Sequence, residues 1–471
     1  MWNNDWEEEE GRSESGELIR DYENAIREKR QPFFDQDGFE AIIDYYEDQH
    51  EVGKAMEAVD FAILHYPFSG VFFIRKAQLL INLRKFEEAT ELLNKAESLD
   101  PDELSLHLTK SDLFVWQGKH QEAIKLLKHV ISECEPEDKE DLYLELADVY
   151  EDCERYDKVV DCLKRAIEMN PTSEEALNRL WFCTELTENY EEMLPFYKEL
   201  VDENPYSAMG WFNLAHAYAG LELWQEAIES FEFVLAIDDK FEDAFIDCAD
   251  VYFTIKSYRK AIELYKEAAQ FPRPNKEVYF QIGQCYEKLK DLNKARSFYR
   301  KSTQIDPEYD EAYFRIGETY KLEKRYVEAL SSMERANKLY PDNVFYIRGL
   351  ASIQLNLGNL EEAISLFDKI INLDGSRKSQ WIDFSAAVYL SGDKKHALEV
   401  LDLGLKKFKK KAELFYAKSA MLYDMGRKQE SMDNLSEALS LKYKRYSLIF
   451  GLNKNMRNDA DILELIALYK P

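Results

Sequence analysis

A small residue returns every 34 positions along most of this chain. Alanine stands at Ala55, Ala89 and Ala123, and again at Ala227, Ala261, Ala295, Ala329, Ala363 and Ala397. Val159, Met193 and Ser431 fill the missing steps, with one slip, since 36 positions separate Ala123 from Val159. Prolines keep the phase twelve residues later, at Pro67, Pro101, Pro171, Pro205, Pro307 and Pro341. Sixteen residues before the small position stands a large one, among them Phe39, Phe73, Tyr143, Trp211, Phe245, Tyr279, Tyr313, Trp381 and Phe415. Four residues after the large one comes a small one (Ala77, Ala147, Ala215, Ala249, Gly283, Gly317, Ala351), and three further on there is often a tyrosine. Self-similarity at such a period means stacked supersecondary units, because one unit cannot bury its apolar face alone.

The columns have a packing logic. Two helices that meet closely need a small residue on one to receive a bulky residue on the other. Proline then ends the second helix and turns the chain into the next unit. At 471 residues, ordinary globular logic would divide the chain into two to four domains. A repeat array escapes that division, since each unit packs only on its neighbours.

The stretch "WFNLAHAY…EAIESF", from Trp211 to Phe231, resembles the tetratricopeptide repeat, whose pattern of Trp, Leu-Gly, Tyr, Ala, Phe, Ala and Pro it follows. The resemblance runs over residues 36–445 as about twelve helix-turn-helix units, and large bacterial cytoplasmic proteins of that family look similar throughout. It implies an all-α chain, an α-solenoid coiling into a superhelix. The array is irregular at 135–139 and in the repeat 174–207, where Trp181 stands at a small position, Thr184 at an aromatic one and Pro195 inside the second helix. Array ends must cover an apolar face. Residues 15–35, with Leu18, Tyr22 and Ile26, read as an N-terminal capping helix, and residues 446–471, with Ile462, Leu465, Ile466 and Tyr469, as a C-terminal helical cap. Residues 1–14 read as a disordered acidic tail.

A formal charge of −30 argues against nucleic acid and anionic membranes as partners, and no apolar run reaches the length of a membrane span. The acidic start lacks the features of a secretory signal, and the six cysteines form no Cys-x-x-Cys pair, so the expected compartment is the cytoplasm. Catalytic and phosphate-binding motifs are absent: no Gly-x-Ser-x-Gly, His-Glu-x-x-His, Gly-x-x-x-x-Gly-Lys or Gly-x-Gly-x-x-Gly occurs. No enzyme, cofactor or metal is expected. "DQDG" (Asp35 to Gly38) has part of a calcium-loop spacing, but an aspartate capping the first helix accounts for it. "KKFKKK" (Lys406 to Lys411) falls where lysines complement a helix C-terminus.

In the tetratricopeptide fold the first helices line a groove, using positions beside the packing stripe. Carried onto this chain, the residue after the large position reads Asn178, Phe212, Ile246, Phe280, Phe314, Arg348, Ile382 and Tyr416. Four further on come Phe182, His216, Asp250, Gln284, Glu318 and Ser352, with Asp44, Asp112 and Asp148 in earlier repeats. The expected groove is acidic near its N-terminal end and aromatic from the fifth repeat onward. Such a groove suits a protein or peptide with apolar anchors and basic flanks. The family's carboxylate clamp for acidic chaperone tails needs a lysine after the large position, and no repeat has one. The expected function is therefore a non-enzymatic interaction scaffold; the alternative is a self-associating spacer whose array forms homodimers.

Overall fold

The structure, a computed structural model, describes residues 4–272, 275–409 and 411–470, with side chains from residue 16. Twelve helix pairs follow one another from Gln36 to Lys442, and no strand occurs among the described residues. The chain is an all-α solenoid of repeats. It divides into two compact units, residues 1–240 with repeats 1–6 and residues 241–471 with repeats 7–12.

Repeat 6 illustrates why each pair forms. Ser207 caps the helix Ala208–Gly220 by accepting from the Gly210 amide. The chain then reverses at Glu222, whose φ is +58°, and the Leu223 amide donates back to the Tyr218 carbonyl at 2.9 Å. The second helix, Trp224–Ile237, folds back against the first. Every repeat makes this turn with one left-handed residue in the same register: His50, Arg84, Gly118, Glu154, Glu188, Glu222, Lys256, Lys290, Lys324, Gly358, Gly392 and Gly426. Only four are glycine, so the other eight hold a backbone conformation that disfavours a Cβ. Satisfaction of the last helical carbonyls offsets that cost.

The small column is the centre of each unit's packing. All twelve of its residues, Val159, Met193 and Ser431 included, have 0% exposure. Ser431 is accommodated because it and Ser419 donate to each other's carbonyls at 2.8 Å. In repeat 5 the hydroxyls of Thr184 and Tyr197 meet at 2.7 Å, filling the space that an aromatic at 184 would occupy. The helix Tyr190–Glu203 continues through Pro195. The two-residue slip after Ala123 is taken up by a 3₁₀ turn, Pro136–Asp138.

At the N-terminal end a helix spans Asn4–Arg27, which takes in positions 4–14 assigned above to a disordered tail; residues 1–3 lie outside the described residues. Ile19 and Tyr22 are buried against Phe39, Ile42 and Tyr46 of repeat 1. Asp35 caps the following helix, accepting from the Gly38 amide at 2.9 Å. At the other end, helices Leu448–Leu452 and Ala460–Leu468 bury Ile449, Met456, Ile462 and Ile466 against Leu435 and Leu439 of repeat 12. Asp459 caps the last helix and pairs with Lys428 at 2.8 Å, which holds its carboxyl down at about 2.

Candidate functional site

Neighbouring first helices touch within each unit, so their side chains meet from one repeat to the next. In residues 1–240 three of these links follow one rule. A residue two after the large position reaches back to the residue five after the large position of the preceding repeat. Arg75 pairs in this way with Asp44, and also with Glu47 at 3.5 Å. Gln78 donates to Thr109 at 3.1 Å. Arg179 pairs with Asp148, with Glu151 at 3.1 Å and with Glu175 at 3.4 Å. These links form a ladder of paired groups along the first-helix face of residues 1–240.

In residues 241–471 the same face opens into a pocket of about 420 Å³ across the helices Asp310–Leu322, Val344–Leu357 and Lys378–Leu390. The ladder position here is Gly349, which has no side chain. A Cβ there would come within 3.2 Å of the Phe314 ring and 3.0 Å of Met333, so glycine both permits the packing and leaves room beside Phe314. Phe314, Phe345 and Leu355 supply apolar wall, and Glu318, Arg348 and Asp383 supply charge. Phe345 is 60% exposed, with the Arg377 guanidinium 5.5 Å from its ring centre. Arg348 donates to Asp383 at 2.9 Å. Burial pushes the Asp383 carboxyl above its usual range, against the pull of Arg348. Glu318 pairs with Lys321. A second recess, about 550 Å³, lies on repeats 1–3 and is lined by Glu47, Arg75, Gln78, Asn82, Asp112 and Trp116.

Three of the residues expected to line a groove, Phe314, Glu318 and Arg348, come together in the first pocket, with Ser352. Phe182 is 58% exposed. His216 is mostly covered and lies 3.4 Å from Glu185. Burial opposes ionisation of Glu185, but hydrogen bonds from His216 and Tyr190 outweigh it and hold its carboxyl below the usual value. Gln284 is half-buried, and Asp250 accepts from Tyr265 of its own repeat's second helix. Phe212, Phe280 and Tyr416 are core rather than groove lining, with exposures of 3%, 4% and 0%. Phe212 is held among Trp181, His216 and Phe231, with ring centres 4.5–5.9 Å away. Phe280 lies between Tyr299 and Tyr309, and the Tyr416 hydroxyl donates to the Lys442 carbonyl. The position after the large residue points between repeats whenever its neighbours leave space for a ring there.

Sequence reasoning missed Phe345, Lys321 and Asp383. A usable signal existed: Arg348 and Asp383 are 35 positions apart, one repeat plus one residue, as are Tyr389 and Asp424, bonded at 2.6 Å. Of the cysteines, Cys162, Cys183 and Cys285 are buried, which pushes their thiols up to about 12, 11 and 12 and removes them as nucleophiles.

Models of the tetratricopeptide repeat match residues 72–103, 276–309, 310–343 and 349–377, and two further models of the same repeat match 140–182 and 211–245. The chain is a tetratricopeptide repeat protein. Tetratricopeptide arrays are typically non-catalytic, and the matched repeats support a protein-interaction scaffold role for this chain. Similar solved structures include a tetratricopeptide repeat protein from Parabacteroides merdae, 16% identical, covering 58% of this chain and 98% of that one with a TM-score of 0.38. YrrB, described as a tetratricopeptide protein with an unusual peptide-binding site, is 19% identical over 39% of this chain and 95% of its own, with a TM-score of 0.34. MamA is 21% identical over 35% and 95%, with a TM-score of 0.33. Among curated proteins, the human protein O-mannosyl-transferase TMTC1 is 27% identical over 107 residues, 22% of this chain. The match spans 12% of that transferase's length. No helix among the described residues is long and apolar enough to cross a membrane.

Proposed function

We propose that this tetratricopeptide protein is a non-catalytic scaffold that binds a peptide segment of a partner on its first-helix face, with the pocket around Phe314 and Phe345 as the anchoring point. The observation that carries the reading is the open space beside Gly349, walled by an exposed phenyl ring and edged by charges already paired within the protein. An apolar anchor can enter there without stripping an unpaired ion of water, which is what a favourable anchor needs. Arg348 and Asp383 at the rim then favour partners with polar or charged residues beside the anchor. The absence of lysine at the clamp position argues against acidic chaperone tails.

A random peptide library displayed on phage, selected against the full chain, tests this. The expected result is a set of peptides with an aromatic or aliphatic anchor whose binding falls at least tenfold in Phe345→Ser while the melting temperature is unchanged. Selected peptides indifferent to Phe345→Ser and to Arg348→Gln would refute the pocket as the site. Dimers in sedimentation equilibrium that Phe345→Ser abolishes would show instead that a second copy occupies it.

A further inference from the structure

The first-helix face of residues 241–471 opens a second time, at a recess of about 490 Å³ that spans the helices Lys378–Leu390 and Ala412–Asp424 and the start of the C-terminal cap. Its cause is the one that opens the first pocket. Two after the large position Phe415 stands Ala417, and five after Trp381 stands Ala386. These are the positions that join Arg75 to Asp44 between repeats 2 and 1, and here both side chains stop at a methyl group. Ile449 lies 34 positions after Phe415, so the cap keeps the phase of the array. The next pair in the series is then Ala420 and Gly451, again too short to close the face, and all four residues line the recess. Leu390, Met421 and Leu452 form its walls, and both leucines are exposed.

Ala386 borders this recess and the Phe345 pocket alike, so the two are neighbours along one face. We propose that a partner polypeptide lies extended across both, with one apolar anchor in each and a carboxylate beside the second anchor. This rests on the reading of the Phe345 pocket as an anchoring point, and adds a second point that the C-terminal cap helps to build.

The geometry sets the spacing of the anchors. The first pocket centres on the helix Val344–Leu357 and the second on Ala412–Asp424, two first helices further along. Packed helices lie about 8–10 Å apart, so the anchors are separated by roughly 16–20 Å, which an extended chain covers in about five or six residues. Ala386 between them leaves room for a backbone but supplies no side chain to obstruct it. The electrostatics favour an apolar occupant with an acidic neighbour. Asp424 is already engaged, accepting from the Tyr389 hydroxyl at 2.6 Å and pairing with Lys394 at 3.8 Å. An aliphatic anchor therefore enters without stranding that carboxylate away from water. Lys454, from the cap, stands at the rim, and its charge suits an aspartate or glutamate next to the anchor. Two anchors on one chain make the second contact intramolecular, so each raises the effect of the other without any new contact.

The test uses the full chain and peptides enriched on it from a random library displayed on phage, each titrated by fluorescence anisotropy. Enriched peptides are expected to carry two apolar residues about five or six positions apart, with an acidic residue beside one of them. Leu390→Ser and Leu452→Ser, both at exposed positions, should leave the melting temperature unchanged and weaken such a peptide at least tenfold. Changing the peptide's second anchor to alanine should weaken wild-type binding by a similar factor and abolish the effect of Leu452→Ser, while Phe345→Ser still weakens what remains. Lys454→Glu should weaken the parent peptide several-fold, and a parent peptide unchanged by it would overturn the carboxylate. Peptides that depend on Phe345 but are indifferent to Leu390→Ser and Leu452→Ser would overturn the second anchor and leave the first pocket standing. Peptides sensitive to Leu452→Ser but not to Phe345→Ser would overturn both. Dimers in sedimentation equilibrium that Leu452→Ser abolishes would put a second copy in the recess and overturn the partner peptide.

Discussion

Gly283→Ala sets helix propensity against packing at one atom. Alanine in place of glycine inside a helix gains about 1 kcal/mol. The new Cβ, however, would lie 2.5 Å from Cδ1 and Cε1 of Tyr299 and 3.1 Å from its Cζ. Favourable carbon contacts begin near ~3.5 Å, so the overlap is roughly 1 Å. The ring cannot swing away. Tyr299 has 0% exposure, its hydroxyl donates to Glu287 at 2.7 Å, and Phe280 packs 5.3 Å from it. Overpacking of this kind costs about 1–3 kcal/mol, and a fixed ring places the cost toward the upper end. The net expectation is a destabilisation of about 1–2 kcal/mol despite the propensity gain. An array of repeats is not a two-state system, so the readout is native-state hydrogen exchange in the helices Lys276–Lys288 and Leu292–Ile305, with distant repeats little changed. The decisive comparison is a double-mutant cycle with Tyr299→Leu. On that background Gly283→Ala should become neutral or stabilising, a coupling of at least about 1 kcal/mol. The same change in both backgrounds would mean that Gly283 does not receive the Tyr299 ring.

Three other outcomes follow from the geometry. Glu222→Gly and Lys256→Gly, at φ of +58° and +65°, should each stabilise their repeat by about 0.5–1 kcal/mol in local hydrogen exchange, since glycine relieves the left-handed backbone. Glu145→Gln should stabilise repeats 3 and 4 at pH 8 but not at pH 4. Burial, then repulsion from Asp112, raises the Glu145 carboxyl, so that it keeps its proton in the folded state up to about 7, whereas the unfolded chain releases it near 4.5, and wild-type stability falls as pH rises between them. Partial exposure reduces the full linkage to about 1–2 kcal/mol, readable in denaturant titrations at the two pH values. Removal of residues 446–471 should uncover Leu435, Leu439 and Tyr416 and produce aggregation in light scattering; a soluble monomer with unchanged melting would show that these residues cover nothing.

The helices were legible because a 34-residue period leaves little freedom. A column that is small in nearly every unit can only be a close helix contact, and all twelve of its members are buried. The left-handed turns were not legible. Eight of the twelve lack glycine, so the usual marker of that conformation is missing where lysine, arginine, glutamate or histidine adopts it.

The first-helix face divides along a physical line. A column rule places residues correctly only as far as neighbouring repeats are alike. Phe212 and Phe314 share a column, but Trp181 and Phe231 close over the first, whereas Gly349 leaves space beside the second. The position two after the large residue therefore decides what its neighbour becomes. Where it holds a cation facing carboxylates, as at Arg75 and Arg179, the repeats are linked and the face is closed to charge. Where its side chain is missing, at Gly349, a pocket opens. Where its charge has the wrong sign, at Glu145 against Asp112, the two carboxyls repel and the Glu145 carboxyl is raised. A regular array is built from the positions that repeat, and its binding chemistry follows from the few members of a packing column that break the pattern.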